Sequence, residues 1–194
     1  MAVESDIKEQ LKKAGSRGIK IDHINSERYV LMIPAFFEIA CKIARVNKIK
    51  YIRLSNEPLF RVRPFLKNLK PILNLNIIKF LLLNFLAKIN SRILRRHSLK
   101  CADAMYGILY TNNMDEEVIQ SAIIDGLKRK LKVIEIFTHP GYPRSRRDKS
   151  YTSQRLKKYL TQKNRRKELE VLKSSRLKTF LKENKIDMVS YRNL

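Results

Sequence analysis

The stretch Ile21 to Pro34 reads IDHINSERYVLMIP and sets His23, Asn25, Ser26 and Glu27 within five residues. An imidazole, an amide, a hydroxyl and a carboxylate this close together are the parts of a loop that binds a ligand or moves protons. A second such place is IEIFTHPGYP, where an apolar run from Ile134 ends at His139. The alternatives are plain. His23 also reads as a core or loop histidine, His139 as a strand-end cap, and Glu27 beside Arg28 as a solvated ion pair. His97, in LRRHSL, reads as a surface residue on a basic helix.

The elements around these residues decide whether they meet. Ile7, Leu11 and Ala14 give a helical stripe that Gly15 and Gly18 end. GIKIDHI alternates apolar residues, as a strand does. Pro34 suits a first helical position, and Phe36, Phe37, Ile39, Ala40, Ile43 and Ala44 form a stripe behind it. IKYIRL, from Ile49, is a second strand, and Pro58 and Pro64 mark a long loop. A helix over about 71–95 follows. MYGILY, from Met105, is a short strand or extended loop. A helix over 115–130 is capped by Asp115 or Asn113. KVIEIF, Lys132 to Phe137, is the clearest strand, and THPGYP stops it. Helices near 153–173 and 175–184 come next, then IDMVSY as a last short strand.

Strands alternating with helices predict an α/β fold with a mostly parallel sheet, whose ligands sit beyond the carboxyl ends of the strands. The loops after Ile24 and Phe137 both lie at such ends. His23, Asn25, Glu27 and His139 are therefore expected to converge on one cleft. Only four or five strands are legible, whereas a full α/β barrel has eight in about 250 residues. The reading is an incomplete barrel, in a single domain over 1–194 that begins partway through its fold.

The totals bound the partners. The chain has 194 residues, 44% hydrophobic, with 42 Lys and Arg against 18 Asp and Glu, a formal net charge of +24. That surplus points to nucleic acid, anionic lipid or an acidic partner; a compositional bias toward Lys, Ile and Asn is the other reading. The segment 144–185 holds 16 basic residues and 4 acidic ones, interleaved with Tyr151 and Tyr159, as a phosphate-binding and base-stacking surface would be. Its spacing matches no nucleic-acid module. Two cysteines, Cys41 and Cys101, without C-x-x-C spacing favour a reducing compartment over a disulfide. The first residues, MAVESDIKEQ, do not read as a signal peptide. PILNLNIIKFLLLNFLAKI, Pro71 to Ile89, carries Asn and Lys where a membrane span needs about 20 apolar residues. It reads as a half-buried helix. A membrane-surface helix, flanked by Lys88, Arg92, Arg95 and Arg96, is the sharper alternative. The expected location is cytoplasmic, with a peripheral membrane position as the second reading.

Several of these stretches together resemble one family. From about Ser5 to Leu194 the chain is similar to the carboxyl-terminal two-thirds of the YdjC-like carbohydrate deacetylases, the family of chitooligosaccharide deacetylase and the hopanoid-associated HpnK proteins. The family motif H-x-D-S-H-x-H-x-H-M-L-P corresponds to HINSERYVLMIP, His23 to Pro34. The family's apolar strand ending in H-P-G-Y matches IEIFTHPGYP, and its S-Y-R-D-L chain end matches SYRNL. MYGILYTNNMDEE is a partial match to a further segment. The resemblance implies an irregular (β/α) barrel of the polysaccharide-deacetylase kind. It also implies a divalent metal, Mg²⁺ or Zn²⁺, and hydrolysis of the acetamide of an N-acetylated amino sugar.

The departures bear on all of this. His23 and Ser26 keep the motif, but the aspartate is Asn25 and the next three histidines are Glu27, Tyr29 and Leu31. The family's A-D-D-F-G strand and GLHLNL-like segment do not occur in the sequence. Of the three ligands a metal hydrolase needs, the resemblance leaves His23, His139 and Glu27, with His139 also the candidate general acid and no candidate base. The expectation is a truncated relative of the deacetylases without activity. Two others stand beside it: a non-catalytic basic module for anionic lipid or nucleic acid, and a split gene whose upstream fragment supplies the missing strands.

Overall fold

The computed structural model describes residues 2–63, 69, 75–143, 153, 154, 157 and 160–194. Helix α1 (Ala2–Gly15) packs Val3, Ile7 and Leu11 on the core and ends at Gly15, before the left-handed turn at Gly18. Strand β1 (His23–Ile24) pairs in parallel with β2 (Tyr51–Ile52), in the register His23 to Tyr51 and Ile24 to Ile52. Between them lie a 3₁₀ segment (Glu27–Met32) and α2 (Pro34–Val46), which begins on its proline. Then come α3 (Asn76–Arg96), β3 (Ala104–Tyr106), α4 (Glu116–Lys128) and β4 (Ile134–Ile136). Helices α5 (Asn164–Lys173) and α6 (Ser175–Glu183) precede a terminal 3₁₀ turn (Tyr191–Asn193).

Strand β3 pairs in parallel with β4 from Ala104–Ile134 to Tyr106–Ile136. Backbone bonds from the Ile52 amide to Lys100, from the Lys100 amide to Lys50, and from the Met105 amide to Asn56 set this pair beside the first. The α/β class with parallel strands is therefore present. The ladders of the described residues trace two short pairs and one bridge, not a closed barrel.

The two faces of the sheet differ in chemistry, because side chains alternate along a strand. Ile24, Ile52, Ala104 and Tyr106 join the buried core with Phe37, Ala40, Cys41 and Ala44 of α2 and Val118, Ile119 and Ala122 of α4. The opposite parity carries His23, Tyr51, Arg53 and Glu135, with Met105, level with Glu135, joining the core as well. Asn90 of α3 is fully buried, yet its amide donates to the Met32 carbonyl at 2.8 Å and so ties α3 to the 3₁₀ segment. Both cysteines are free; burial pushes the Cys41 thiol up to about 12 and the Cys101 thiol up to about 11.

Three expectations change. Residues 186–190 make no ladder, so IDMVSY is not a strand. Met188 and Val189 are exposed, and apolar residues with no neighbouring strand gain nothing from an extended pairing. The first strand is shorter than its alternation: Ile19 is exposed, and only His23 and Ile24 find partners on β2. His97 is not a free surface residue. Its Nε2 lies 2.8 Å from Glu38 of α2, and it ends α3 from a half-buried position. The first turns of the 71–95 helix, Pro64 and most of 144–159, Tyr151 and Tyr159 included, lie outside the described residues.

Asp115 caps α4 as its sequence position implies, accepting from the Val118 amide at 3.1 Å. Asp115→Ala is expected to lower stability by about 1 kcal/mol in urea unfolding, the usual worth of such a cap; an unchanged midpoint would show the cap to be idle.

Candidate functional site

The carboxyl ends of the strands carry an interlocked polar cluster. Glu57, three residues past Leu54, is 2% exposed. One carboxyl oxygen accepts from the Gly107 amide at 2.6 Å and the other from the Leu109 amide at 2.7 Å. Burial pushes its pKa up to about 7, against the pull of those N–H groups and of Lys79. Lys79 reaches in from α3, and its ammonium donates to Thr111 Oγ1 at 2.7 Å. Burial lowers the Lys79 pKa, and the Glu57 charge works against that. The same ammonium stands 6.0 Å from the Tyr29 ring centre. Burial pushes the Tyr29 hydroxyl up to about 12.

Tyr29 belongs to the 3₁₀ segment, and its backbone is left-handed (φ 60°), as is that of Arg28 (φ 54°). Two such residues in a row reverse the chain and turn the Tyr29 ring onto Phe137, at 6.1 Å between centres. Phe137 in turn meets His139 edge to face at 4.5 Å, and the Arg53 guanidinium lies over the Phe137 ring at 5.4 Å. The segment after β1 thus touches the end of β4 through Tyr29 and Phe137, neither of which is among the four residues expected to converge.

The histidines themselves are differently placed. Nδ1 of His23 sits 2.7 Å from Asp22, and its ring stacks on Tyr191 at 4.3 Å. Tyr191 also donates to Glu135 at 2.9 Å, and Glu135 pairs with Arg53. Tyr51 donates to the Leu194 carbonyl at 2.7 Å. The chain end therefore lies over the polar face of the sheet, and His23 lies beneath it. Burial and the Glu135 carboxylate raise the Tyr191 pKa, so the hydroxyl stays a donor at any ordinary pH.

Glu27 is turned outward: its side chain is 88% exposed and lies 3.5 Å from the Arg28 guanidinium. Asn25 accepts from the Ser26 amide at 2.7 Å, and Ser26 Oγ accepts from the Leu31 amide at 3.1 Å. Both hold the shape of the loop. Leu31 is buried in the core. His139 is anchored by its own amide, which donates to Glu168 of α5 at 2.6 Å. Burial, Arg165 and Lys79 all lower the His139 pKa.

That electrostatic setting limits the chemistry. An imidazole held neutral is a poor general acid for a leaving amine at neutral pH. Glu57 and Glu168, each 2% exposed, are the buried carboxylates of this region. Each spends both oxygens on backbone N–H groups, Glu168 on His139 and, at 3.4 Å, on Met114. Burial raises the pKa of Glu168, although those bonds oppose it. Among the described residues no group of three or more His, Cys, Asp or Glu side chains is arranged to hold a metal ion. His23, Glu27 and His139 thus do not fit a divalent ion as a set.

Sequence reading missed Glu57, Lys79, Arg53, Glu135, Glu168 and Tyr191. Glu57 is the only acid between Glu38 and Asp103, in a stretch of apolar and basic residues, and that isolation was the available signal.

A family model described as YdjC-like protein matches residues 1–183. No curated protein matches the chain.

Proposed function

This chain belongs to the YdjC-like family, which is associated with carbohydrate deacetylase-like function, and from that premise we propose that it is a member without metal-dependent N-deacetylase activity. One observation carries the reading. Where the family motif has histidines, Glu27 points to solvent, Tyr29 packs toward Phe137 and Leu31 joins the core. Leu31 has no donor atom, and the Glu27 carboxylate lies in solvent beside Arg28. The ancestral substrate class is an N-acetylated amino sugar, and the ancestral metal Mg²⁺ or Zn²⁺. The described residues by themselves would supply neither three ligands around an open position for water nor a free base beside it.

The strand-end cluster has a different task in this reading. Glu57 and Glu168 latch the loops after β2, β3 and β4 to one another by accepting from backbone N–H groups, and Lys79 adds a bond to the Thr111 hydroxyl.

The test is acetate release from N-acetylated chitooligosaccharide, by the full chain supplied with Zn²⁺ or Mg²⁺. The expected rate is that of the metal-containing buffer, unchanged by His139→Ala. Metal-dependent release that His139→Ala abolishes would overturn the proposal.

A further inference from the structure

Helix α3 presents an apolar face outward. Leu75 just before it and Ile78, Leu81, Leu82 and Phe85 within it are 67%, 60%, 60%, 55% and 62% exposed. Their spacing of three, three, one and three residues puts them along one side of an α-helix. Single exposed hydrophobics are ordinary on a protein surface, but five large ones in a row on one helix face are not. The opposite side of the helix, with Phe80, Leu83, Ala87, Asn90, Ile93 and Leu94, is buried and fixes the helix on the body of the protein. The exposed face is therefore held in place by packing elsewhere and does not depend on its own burial.

The same side of the helix changes character further on. Lys88, Arg92, Arg95 and Arg96 are exposed, and they continue the line of the apolar stripe toward the helix end. At about 100° per residue, Arg92 and Arg96 fall within the arc of Leu81 to Leu82, and Lys88 and Arg95 fall at its border. Residues 76–96 contain no Asp or Glu. One helix face thus carries an apolar half followed by a cationic half, with no acid on the helix itself.

We propose that this face of α3 docks on an anionic lipid bilayer, with Leu81, Leu82 and Phe85 entering the boundary between headgroups and acyl chains and Arg92 and Arg96 meeting the headgroups. Charge separates this occupant from a second copy of the chain. Two chains of formal charge +24 would repel one another across a shared face, whereas an anionic surface complements their charge. The docking is superficial. Among the described residues no helix is long and apolar enough to cross a membrane, and an interfacial helix needs only one apolar face and basic flanks. This inference is independent of the fate of the hydrolytic site.

The chain has no tryptophan, so Phe85→Trp installs a single reporter at an exposed position. The experiment mixes the Phe85→Trp protein with vesicles of phosphatidylcholine and phosphatidylglycerol, and with phosphatidylcholine alone, and reads emission and co-flotation. The expected result is a blue shift and flotation with the anionic vesicles only, weakening as salt is raised. In the otherwise unmodified chain, Leu81→Ser with Leu82→Ser is expected to cut flotation at least tenfold and to leave the far-ultraviolet circular dichroism unchanged. Arg92→Gln with Arg96→Gln is expected to cut it severalfold. Flotation that the serine pair leaves intact would overturn the assignment to α3, since binding would then rest on charge alone. Absence of flotation, or a blue shift that appears without lipid as the protein dimerises, would overturn the proposal.

Discussion

Glu57→Ala is expected to lower stability by about 3–5 kcal/mol, the range for stripping the partner from buried polar groups. The substitution removes the acceptor of the Gly107 and Leu109 amides in a loop that is itself buried, and it takes the opposite charge of Glu57 away from the half-buried Lys79. Against a typical domain stability of about 5–15 kcal/mol this is a large share, so the urea midpoint should fall steeply. The pH dependence carries a second signature. Glu57 has its pKa raised to about 7 in the fold from an ordinary 4.5. A carboxyl with a higher pKa folded than unfolded binds its proton more tightly in the native state. Its contribution is therefore complete below the unfolded value and lost as pH rises through the folded one. Wild type should lose stability from this group between about pH 5 and pH 7, and Glu57→Ala should lose that slope. Equal slopes in the two proteins would mean that Glu57 does not titrate in this window.

Gly107→Ala is expected to be comparably damaging, by about 4 kcal/mol, from backbone strain and overpacking acting together. Gly107 sits at φ +123°, a conformation side-chain-bearing residues rarely adopt, and a Cβ there would lie 2.3 Å from the Phe137 carbonyl oxygen. The carbonyl cannot retreat freely, because the Phe137 amide donates to Tyr106 at 2.7 Å in the β3–β4 pairing. Relief would have to come from moving Phe137, and with it the contacts to Tyr29 and His139. Near-ultraviolet circular dichroism, dominated by tyrosine in a chain without tryptophan, should change along with the unfolding midpoint. A wild-type midpoint for Gly107→Ala would show that the loop is freer than its contacts imply.

Much of the fold was legible because local signals and tertiary contacts agreed. Pro34, Gly15 and Asp115 bound helices where their backbone chemistry says they should, and KVIEIF forms its strand because apolar alternation coincides with a partner in β3. The last expected strand failed for want of a partner. IDMVSY has strand-like composition, but a ladder needs a neighbouring strand, and Tyr191 does better stacked on His23 and donating to Glu135. His97 was misjudged for a related reason: its basic neighbours suggested a free surface, and Glu38, 59 residues away in sequence, was not foreseeable as its partner.

That the segments after β1 and at the end of β4 lie close together was legible; which residues organise that place was not. The family motif marked the loops that meet, and they meet through Tyr29 and Phe137, one of them at a substituted position. The groups that organise the place are Glu57, Lys79 and Glu168. Glu168 sits in a strongly basic run that reads as a solvated face. It is buried because its two oxygens satisfy the Met114 and His139 amides, a long-range contact that no spacing in the chain reveals.

The measurement closest to the central claim is a Zn²⁺ titration followed at the imidazoles by nuclear magnetic resonance. The chain has three histidines, His23, His97 and His139, so each can be assigned by single substitution. His23 is engaged with Asp22 and Tyr191, and His139 with Phe137 and the Glu168-anchored loop. The account predicts weak shifts that do not saturate at one equivalent and are not shared by His23 and His139. Shifts of His23 and His139 together, complete at one equivalent of Zn²⁺, would mean that the chain assembles a metal centre after all, and would contradict the account.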